Sequence, residues 1–511
     1  MRKNVTIVLG FMLLLLASCS PKSEYTHALP KNASLVVAVD WGMLADKAQL
    51  QGKEGVNLTD KLVALLQGGL EGEAARLAEK IVKKPSESGL NFAAKAYLFA
   101  TPHANAFGLL MKVDSENKVE DVLNALHEQQ ICSDIRQESG CRWVQMGKSL
   151  CAFNKGTFLW MQNRTGDVEN IRGTAFMLMR QQEGEGFDAL SDFVLLKEEG
   201  NDVASMIDLS ILPDRLTTPL RMGLSGDIRL QDIRYHVVAN FEKGHLSVHS
   251  QLLTQNQKIK SFISEMNQVT THIRGKYMDY FPANTFAWMG GRIEGKTFYD
   301  MLYQNPTLRH ELLNPELPVD MKRIFSAIEG DCAVGYSSLV SEAFLVYADV
   351  TNSDFLETFE ELRPLLAMTG GQVQLFDTAE NQYALKTMEG IYWFGVKGNF
   401  LYITNRRELA AEAGRTYGVS VGTRPWSSEG KNNRMYASVN FSRLATDMKE
   451  FPYFLPSLGN QQIAMILKLI AGELEVMNVS MPDWSQGQME LLLKDKKTNP
   501  LQLVVQIVNN L

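Results

Sequence analysis

A ten-residue stretch occurs twice in this chain, first as Lys155-Gly156-Thr157-Phe158-Leu159-Trp160-Met161-Gln162-Asn163-Arg164 and again as Lys397-Gly398-Asn399-Phe400-Leu401-Tyr402-Ile403-Thr404-Asn405-Arg406. Six of the ten positions are identical, at an offset of 242 residues. Chance similarity between two α+β segments can produce one match of this kind. A duplication therefore requires further matches in the same order along the chain.

Three further pairs of segments match in that order. They are 29–33 with 281–285, Ala106, Phe107 and Val113 with Ala343, Phe344 and Val350, and 207–210 with 439–442. Four collinear matches predict an internal duplication, with a first copy over residues 25–270 and a second over 271–511.

The predicted elements agree between the copies and indicate an α+β fold. Residues 35–39 and 286–289 read as buried strands that follow Pro-containing turns. Helical spacing of apolar residues follows in 119–126 and again in 355–362. Three short strands are then predicted across 143–161. We expect each copy to form a mixed, mainly antiparallel sheet with helices, and its opening to be ferredoxin-like.

The N-terminus has the features of a secretory signal. Arg2 and Lys3 precede an apolar run that is too short to span a bilayer, and small residues follow before Cys19. Leu16-Ala17-Ser18-Cys19 resembles the lipobox of bacterial lipoproteins, which implies cleavage after residue 18 and acyl chains, such as palmitate, on Cys19. An ordinary secreted protein is the alternative. Residues 19–24 are predicted to form a lipidated stalk.

The predicted partners follow from this anchor and from charge. Ser20 after the cysteine favours the outer membrane, by resemblance to Gram-negative lipoproteins, with the body facing either the periplasm or the cell surface. Removing residues 1–18 takes away Arg2 and Lys3, which leaves 49 basic and 58 acidic residues. A mildly acidic chain without a basic cluster argues against nucleic acid as a partner.

The opening of the mature chain resembles a known family. Residues 29–40, after the lipobox and stalk, are similar to the start of a domain-of-unknown-function lipoprotein family found in Bacteroides and its relatives. The resemblance implies an envelope lipoprotein of about this length with no assigned activity. It supplies no catalytic or binding residue.

One motif suggests nucleotide binding. Gly290-Gly291-Arg292-Ile293-Glu294-Gly295-Lys296-Thr297 fits the phosphate-loop pattern, in which backbone amides hold phosphates and the lysine reaches the outer two. Against it, Glu294 brings negative charge, the first copy has no such loop, and an exported compartment maintains no nucleotide pool. We interpret the motif as a glycine-containing strand end that leads into a helix, and we expect no cofactor.

Other catalytic and metal patterns are incomplete. His310-Glu311 and His127-Glu128 each lack the second histidine of a zinc-protease helix, and Gly223-Leu224-Ser225-Gly226 is one residue short of a nucleophile elbow. His245 and His249 share one strand face without a further ligand nearby, which predicts an exposed face and no metal site.

Four cysteines follow Cys19 in the chain. Cys132 and Cys141 are the simplest pair for a disulfide in an oxidising envelope, whereas Cys151 and Cys332 are expected to be buried thiols. A core of this size does not need a disulfide, so free thiols are the alternative for the first pair as well.

Two classes of function remain open. The first is a non-catalytic envelope protein that binds or scaffolds a protein or glycan, with Ile391-Tyr392-Trp393-Phe394 either a sugar platform or part of the core. The second is an envelope hydrolase whose residues meet only in the fold. No polar motif is kept in both copies, which favours binding and leaves the list of catalytic residues empty. A deep pocket with convergent His, Asp or Glu would instead indicate an enzyme.

Overall fold

The computed structural model describes residues 25–138, 140–212, 228–304, 309, 319–338, 341–450 and 469–510. The chain forms two compact units. The first combines the chain up to Met43 with Val56–Ser205, and the second combines Leu44–Gly55 with the chain from Met206 onward. Among the described residues, no helix has the length and apolar character needed to cross a membrane.

The first unit is built on an antiparallel sheet. Its strands are β1 (Leu35–Val39), β2 (Ala96–Ala100), β3 (Ala106–Lys112), β4 (Arg136–Glu138), β5 (Cys141–Met146), β6 (Ser149–Phe153), β7 (Thr157–Asn163) and β8 (Val203–Asp208), which passes into the second unit at Met206. The strands are ordered β8-β1-β2-β3-β7-β6-β5-β4 across the sheet.

The second unit contains a longer antiparallel sheet. Its strands are β9 (Arg234–Glu242), β10 (His245–Leu253), β11 (Ala287–Glu294), β12 (Ile328–Tyr336), β13 (Phe344–Val350), β14 (Gln374–Ala379), β15 (Gln382–Lys386), β16 (Ile391–Lys397), β17 (Phe400–Thr404), β18 (Met435–Asn440), β19 (Leu474–Asp483) and β20 (Gln486–Leu493). The order is β9-β10-β20-β19-β18-β11-β12-β13-β17-β16-β15-β14.

The described helices are mostly short. They are α1 (Trp41–Lys47), α2 (Lys53–Gln67), α3 (Gly72–Lys83), α4 (Glu116–Glu128), α5 (Val168–Arg180), α6 (Val194–Lys197), α7 (Gln257–Val269), α8 (Gly295–Gln304), α9 (Met321–Ala327), α10 (Glu357–Glu361), α11 (Arg363–Ala367), α12 (Arg407–Ala411), α13 (Ser427–Gly430), α14 (Phe441–Glu450) and α15 (Pro500–Asn510). The prediction of an α+β fold with mainly antiparallel sheets is confirmed.

The strand order repeats. The order from β18 to β14 in the second unit is the order from β8 to β4 in the first, strand for strand. A hydrogen bond outside the strands repeats as well. Phe187 N donates to Leu29 O at 3.0 Å, and Val421 N donates to Phe281 O, at the position that matches Leu29, at 2.9 Å. A duplication predicts this correspondence. The division at 270/271 stays a prediction, since the compact units divide the chain elsewhere.

The two ten-residue stretches that match best in sequence are shifted by one residue when they are aligned by strand pairing. Met111 pairs with Phe158, and its counterpart Ala348 pairs with Leu401, so the structural equivalent of Phe158 is Leu401 and not Phe400. A shift of one residue moves a side chain to the other face of a sheet. Phe158 accordingly packs beside Val119, whereas Phe400 packs in the tyrosine-rich core on the opposite face.

The ferredoxin-like interpretation of the opening does not match the strand pairing. A split βαβ unit places its first two strands parallel, with a third strand between them. Here β1 and β2 are direct antiparallel neighbours, with Val37 opposite Leu98.

Helix prediction succeeded in the first copy and in part in the second. Ser115 caps α4 by accepting a hydrogen bond from Lys118 N at 3.4 Å, and Val119 and Leu123 are buried as the apolar spacing predicts. The matching stretch over 355–362 is broken into short segments, and α11 begins at the residue before Pro364. Proline has no N–H to donate and therefore starts a helix more readily than it continues one.

Candidate functional site

A partly enclosed cavity in the second unit has a volume of about 280 Å³. We call it the tryptophan pocket, because Trp288 and Trp426 both line it. Its floor is the face of β11, β18, β19 and β20 that carries Trp288, Ser438, Val476 and Leu492. Its wall is the segment around Trp426, the residue directly before the first turn of α13.

Strand pairing fixes the position of Trp288. It lies directly opposite Ser438 on β18, and its side chain runs along the sheet over Gly290. A Cβ at position 290 would lie 2.4 Å from Cη2 of this indole, so a glycine is needed there. Trp288 is 4% exposed, and its indole N–H has no hydrogen-bond partner in the described part of the chain.

Aromatic stacking fixes the position of Trp426. Its ring stacks on Tyr436 of β18 with centroids 5.3 Å apart and planes at 20°. Trp288 and Trp426 are tilted by 40°, with centroids 6.4 Å apart. Burial raises the pKa of the Tyr436 hydroxyl, so this group stays neutral beneath the indole.

The polar side chains of the pocket are held by neighbouring groups. Arg424 Nε donates to the carbonyl of Ala283 at 3.1 Å, which ties the wall to the turn before β11. Lys496 and Glu475 form an ion pair at 2.5 Å. Lys496 and Glu475 thus compensate each other, whereas Arg424 keeps its charge; the remaining polar groups are hydroxyls and the amide of Asn440, whose Oδ1 accepts from Arg443 N at 3.2 Å.

A second, more open cavity of about 530 Å³ lies in the first unit. We call it the lysine pocket, since Lys95 and Lys197 line it together with Asp40 and Glu199. Burial lowers the pKa of Lys95, and the charge of Asp40 opposes that shift. Lys95 Nζ donates to the carbonyls of Leu196 at 3.2 Å and Glu198 at 2.5 Å, which gives the ammonium a structural role.

In the second copy, the strand positions that match Asp40 and Lys95 are occupied by Arg292 and Asp331, so the acidic and the basic residue have changed places. Arg292 and Asp331 face each other on β11 and β12 and form an ion pair at 3.1 Å, with Asp331 2% exposed. Asp331 also accepts hydrogen bonds from the backbone N–H groups of Arg274 and Lys276, at 3.1 and 3.0 Å. A buried carboxylate with this many donors is a structural group.

The phosphate-loop motif does not form a loop. Gly290 and Gly291 lie within β11, paired with β12 on one side and β18 on the other, and the strand passes directly into α8 at Gly295. Their backbone groups are used by the sheet and cannot surround a phosphate. A Cβ at Gly295 would lie 2.0 Å from the carbonyl oxygen of Phe325, so packing explains this glycine.

The remaining sequence candidates do not converge on a site. His127 Nδ1 lies 3.1 Å from the carbonyl oxygen of Cys132, and His245 and His249 lie on β10, with His249 exposed. Nowhere in the described ranges do three or more His, Cys, Asp or Glu side chains group as metal ligands. Cys19, His310-Glu311 and 223–226 lie outside the described residues.

The described cysteines are free thiols. Cys132, Cys141 and Cys151 are buried, and Cys132 Sγ donates to the carbonyl of Leu123 at 3.3 Å. Burial raises the pKa of Cys332 to about 12 and makes its thiolate inaccessible near neutral pH. Neither a bridge nor a reactive thiol is present among them.

Trp393 and Phe394 of the aromatic strand β16 pack in the core, whereas Ile391 is 40% exposed. Phe394 is buried in the cluster that contains Leu401, and Trp393 packs against the tyrosine-rich core on the other face. The core alternative from the sequence is the one that the structure contains.

Comparison with protein families gives a match that covers most of the chain. A family model described as "Domain of unknown function (DUF4836)" matches residues 25–501. The chain belongs to the DUF4836 family. No curated protein matches this DUF4836 chain.

Solved structures resemble the DUF4836 chain only distantly. Crystal form I of TP0453 is 10% identical with a TM-score of 0.27, and the match covers 50% of this chain and 89% of that one. Crystal form III is 12% identical with a TM-score of 0.26, covering 49% and 89%. At these TM-scores no functional correspondence follows.

Sequence reasoning did not find the tryptophan pocket in this DUF4836 chain. Trp288 was predicted as a strand residue, and Trp426 and Ser438 carry no motif. The one available signal is a difference between the copies. At the offsets of the matching segments, Trp288 and Ser438 correspond to Val36 and Met206, which are both buried.

Proposed function

We propose that this protein is a lipid-anchored component of the bacterial cell envelope that binds a ligand in the tryptophan pocket without converting it. Residues 1–18 are removed as a signal peptide, Cys19 carries the lipid, and 19–24 form the stalk. The lipobox and the residue after it support an outer-membrane anchor with the body in the periplasm or at the cell surface. The body follows as two copies, 25–270 and 271–511.

The observation that carries the binding proposal is the composition of the pocket. Concave, mostly apolar sites with a few fixed polar groups are the usual form of ligand sites. Here Trp288 and Trp426 supply apolar surface, and Ser438 and Asn440 supply polar groups. Glu475 and Lys496 at the rim are paired with each other, so neither is free to act as an acid or base in catalysis.

A hydrolase acting at the lysine pocket is the second candidate. The lowered pKa of Lys95 beside Asp40 is the observation that favours it, because general bases have perturbed pKa values. The ammonium of Lys95 is nevertheless committed to two backbone carbonyls. That arrangement supports an ordering role for the lysine more than proton transfer.

The proposal can be tested with the indole N–H signals of the seven tryptophans in NMR spectra of the mature body. We expect some members of a small-molecule fragment library to shift the signals of Trp288 and Trp426. Trp41, on α1 and 39% exposed, serves as the internal control and should not shift. Fragments that shift only the Trp41 signal would favour the hydrolase instead, because Asp40 and Met43 beside Trp41 line the lysine pocket.

A further inference from the structure

We propose, resting on the binding function above, that the tryptophan pocket takes one ring of a saccharide. The first argument is size and shape. The volume of about 280 Å³ suits a single ring with its substituents. The two indoles are 6.4 Å apart, whereas a flat ring between them needs about 7 Å for two contact distances. The guest therefore lies against an indole face and not between two faces.

The second argument is the mixture of surfaces that the guest meets. Trp426 is already stacked on Tyr436, which fixes its orientation. Val476 and Leu492 continue the apolar floor, while Ser438 and Asn440 on β18 present a hydroxyl and an amide beside it. A pyranose ring has an apolar face of C–H groups and a rim of hydroxyls, so it complements both surfaces.

The third argument excludes purely apolar guests. An acyl chain would cover the hydroxyl of Ser438, which is 5% exposed, and the amide N–H groups of Asn440 without offering either a hydrogen bond, while Asn440 Oδ1 already accepts from Arg443 N at 3.2 Å. A buried polar group left unpaired costs about 1–3 kcal/mol. Sites with such groups reject analogues that cannot bond them far more strongly than they reject a missing methylene.

The fourth argument is charge. Lys496 is paired with Glu475 at 2.5 Å, and the Arg424 guanidinium is held by the carbonyl of Ala283. The Lys496–Glu475 pair adds no net charge, whereas Arg424 keeps its positive charge because the carbonyl that it contacts is neutral. The pocket therefore disfavours a cationic guest and accepts a neutral or acidic sugar.

The two copies differ at the positions of the pocket. Val36 and Met206 stand at the positions of Trp288 and Ser438 in the first copy, and both are buried apolar residues. Replacing an indole with valine and a hydroxyl with a thioether removes the features that would hold a sugar. The matching position in the first copy therefore does not form a second site of this kind.

Saturation-transfer NMR with the full mature chain tests this inference. The probes are the methyl glycosides of β-glucose, β-galactose and N-acetyl-β-glucosamine, with chitotriose for the end of a glycan chain and octanoate and p-cresol as apolar comparators. We expect at least one of the sugars to bind the wild type and the Trp41→Ala control alike. Its affinity should fall at least tenfold in Trp426→Ala, which corresponds to about 1.4 kcal/mol.

Ser438→Met is a second variant, which tests the inference independently if Trp426→Ala misfolds. It places methionine, the residue at the matching position of the first copy, in the floor of the pocket. Its thermal unfolding should match the wild type while sugar binding is lost. Trp426-dependent binding of octanoate or p-cresol, with none of the four sugars binding, overturns the saccharide inference but keeps the binding function. Failure of all six probes to bind in a Trp426-dependent way overturns the inference and removes the support for the pocket as a binding site.

Discussion

Val248 lies opposite Met489 where β10 pairs with β20, and the two residues are 241 positions apart, which is within the offsets of the predicted duplication. The strand pair is symmetrical about them. Leu252 N donates to Ser485 O at 2.8 Å at one end, and Leu493 N donates to Gly244 O at 2.8 Å at the other. The donors Leu252 and Leu493 are 241 residues apart, and so are the acceptors Gly244 and Ser485, so replacing each residue by its counterpart turns one hydrogen bond into the other. This antiparallel pair thus has a local two-fold axis, as in the contact between identical subunits of a dimer.

Gly244 closes the β9–β10 hairpin beside this axis and should be sensitive to substitution. Its φ is +81°, and a Cβ there would lie 2.8 Å from Cα of Lys496. We expect Gly244→Ala to lower the free energy of unfolding by about 3 kcal/mol in urea titrations, since strain and a backbone clash combine. Gly398→Ala is the matched control, with φ +60° and open space, and should cost about 1 kcal/mol. Equal losses would show that the close approach to Lys496 has no energetic effect.

Glu87 should give the first unit an acid-sensitive stability. Its carboxylate contacts Lys80 at 2.7 Å, Lys118 at 3.2 Å and Lys84 at 3.3 Å, and these hydrogen bonds lower its pKa from 4.5 to about 2. A lowered folded-state pKa stabilises the fold above the unfolded-state value and loses that contribution as the pH falls through the folded-state value. The difference in unfolding free energy between wild type and Glu87→Gln should therefore shrink between pH 4.5 and about 2. A difference independent of pH would contradict the ion-pair cluster.

Cys19→Ser should release the protein from the membrane without unfolding it. The predicted anchor is lipid on one sulfur, and the mature body begins after a polar stalk. In detergent phase separation we expect wild type in the detergent phase and the variant in the aqueous phase, with the same thermal unfolding midpoint. Retention of the variant in detergent would mean that another membrane contact exists.

Lys296 should not contribute to nucleotide binding. It is exposed in the first turn of α8, after glycines that are committed to strand pairing. We expect no measurable heat when Mg-ATP is titrated into the wild type, and a stability for Lys296→Ala within about 0.5 kcal/mol of it. Micromolar Mg-ATP binding that disappears in the variant would restore the phosphate-loop hypothesis.

Local signals in the sequence predicted single elements well. The apolar run of β1 and the cap and spacing of α4 depend on neighbouring residues, and both are where the sequence placed them. The alignment of the two ten-residue stretches was one residue out, because identical residues at Phe158 and Phe400 lie on opposite faces of their sheets. The tryptophan pocket could not be predicted. Trp288, Trp426 and Ser438 meet only through long-range strand pairing and ring stacking.

Binding without turnover is the central claim, and following the bound ligand over time tests it most directly. The ligand that shifts the Trp426 indole signal is incubated with stoichiometric wild-type protein and observed by one-dimensional NMR for a day. The account predicts an unchanged ligand spectrum and line broadening that is absent with Ser438→Met. New product signals that grow with wild type, and not with Ser438→Met, would contradict the account and identify the pocket as an active site.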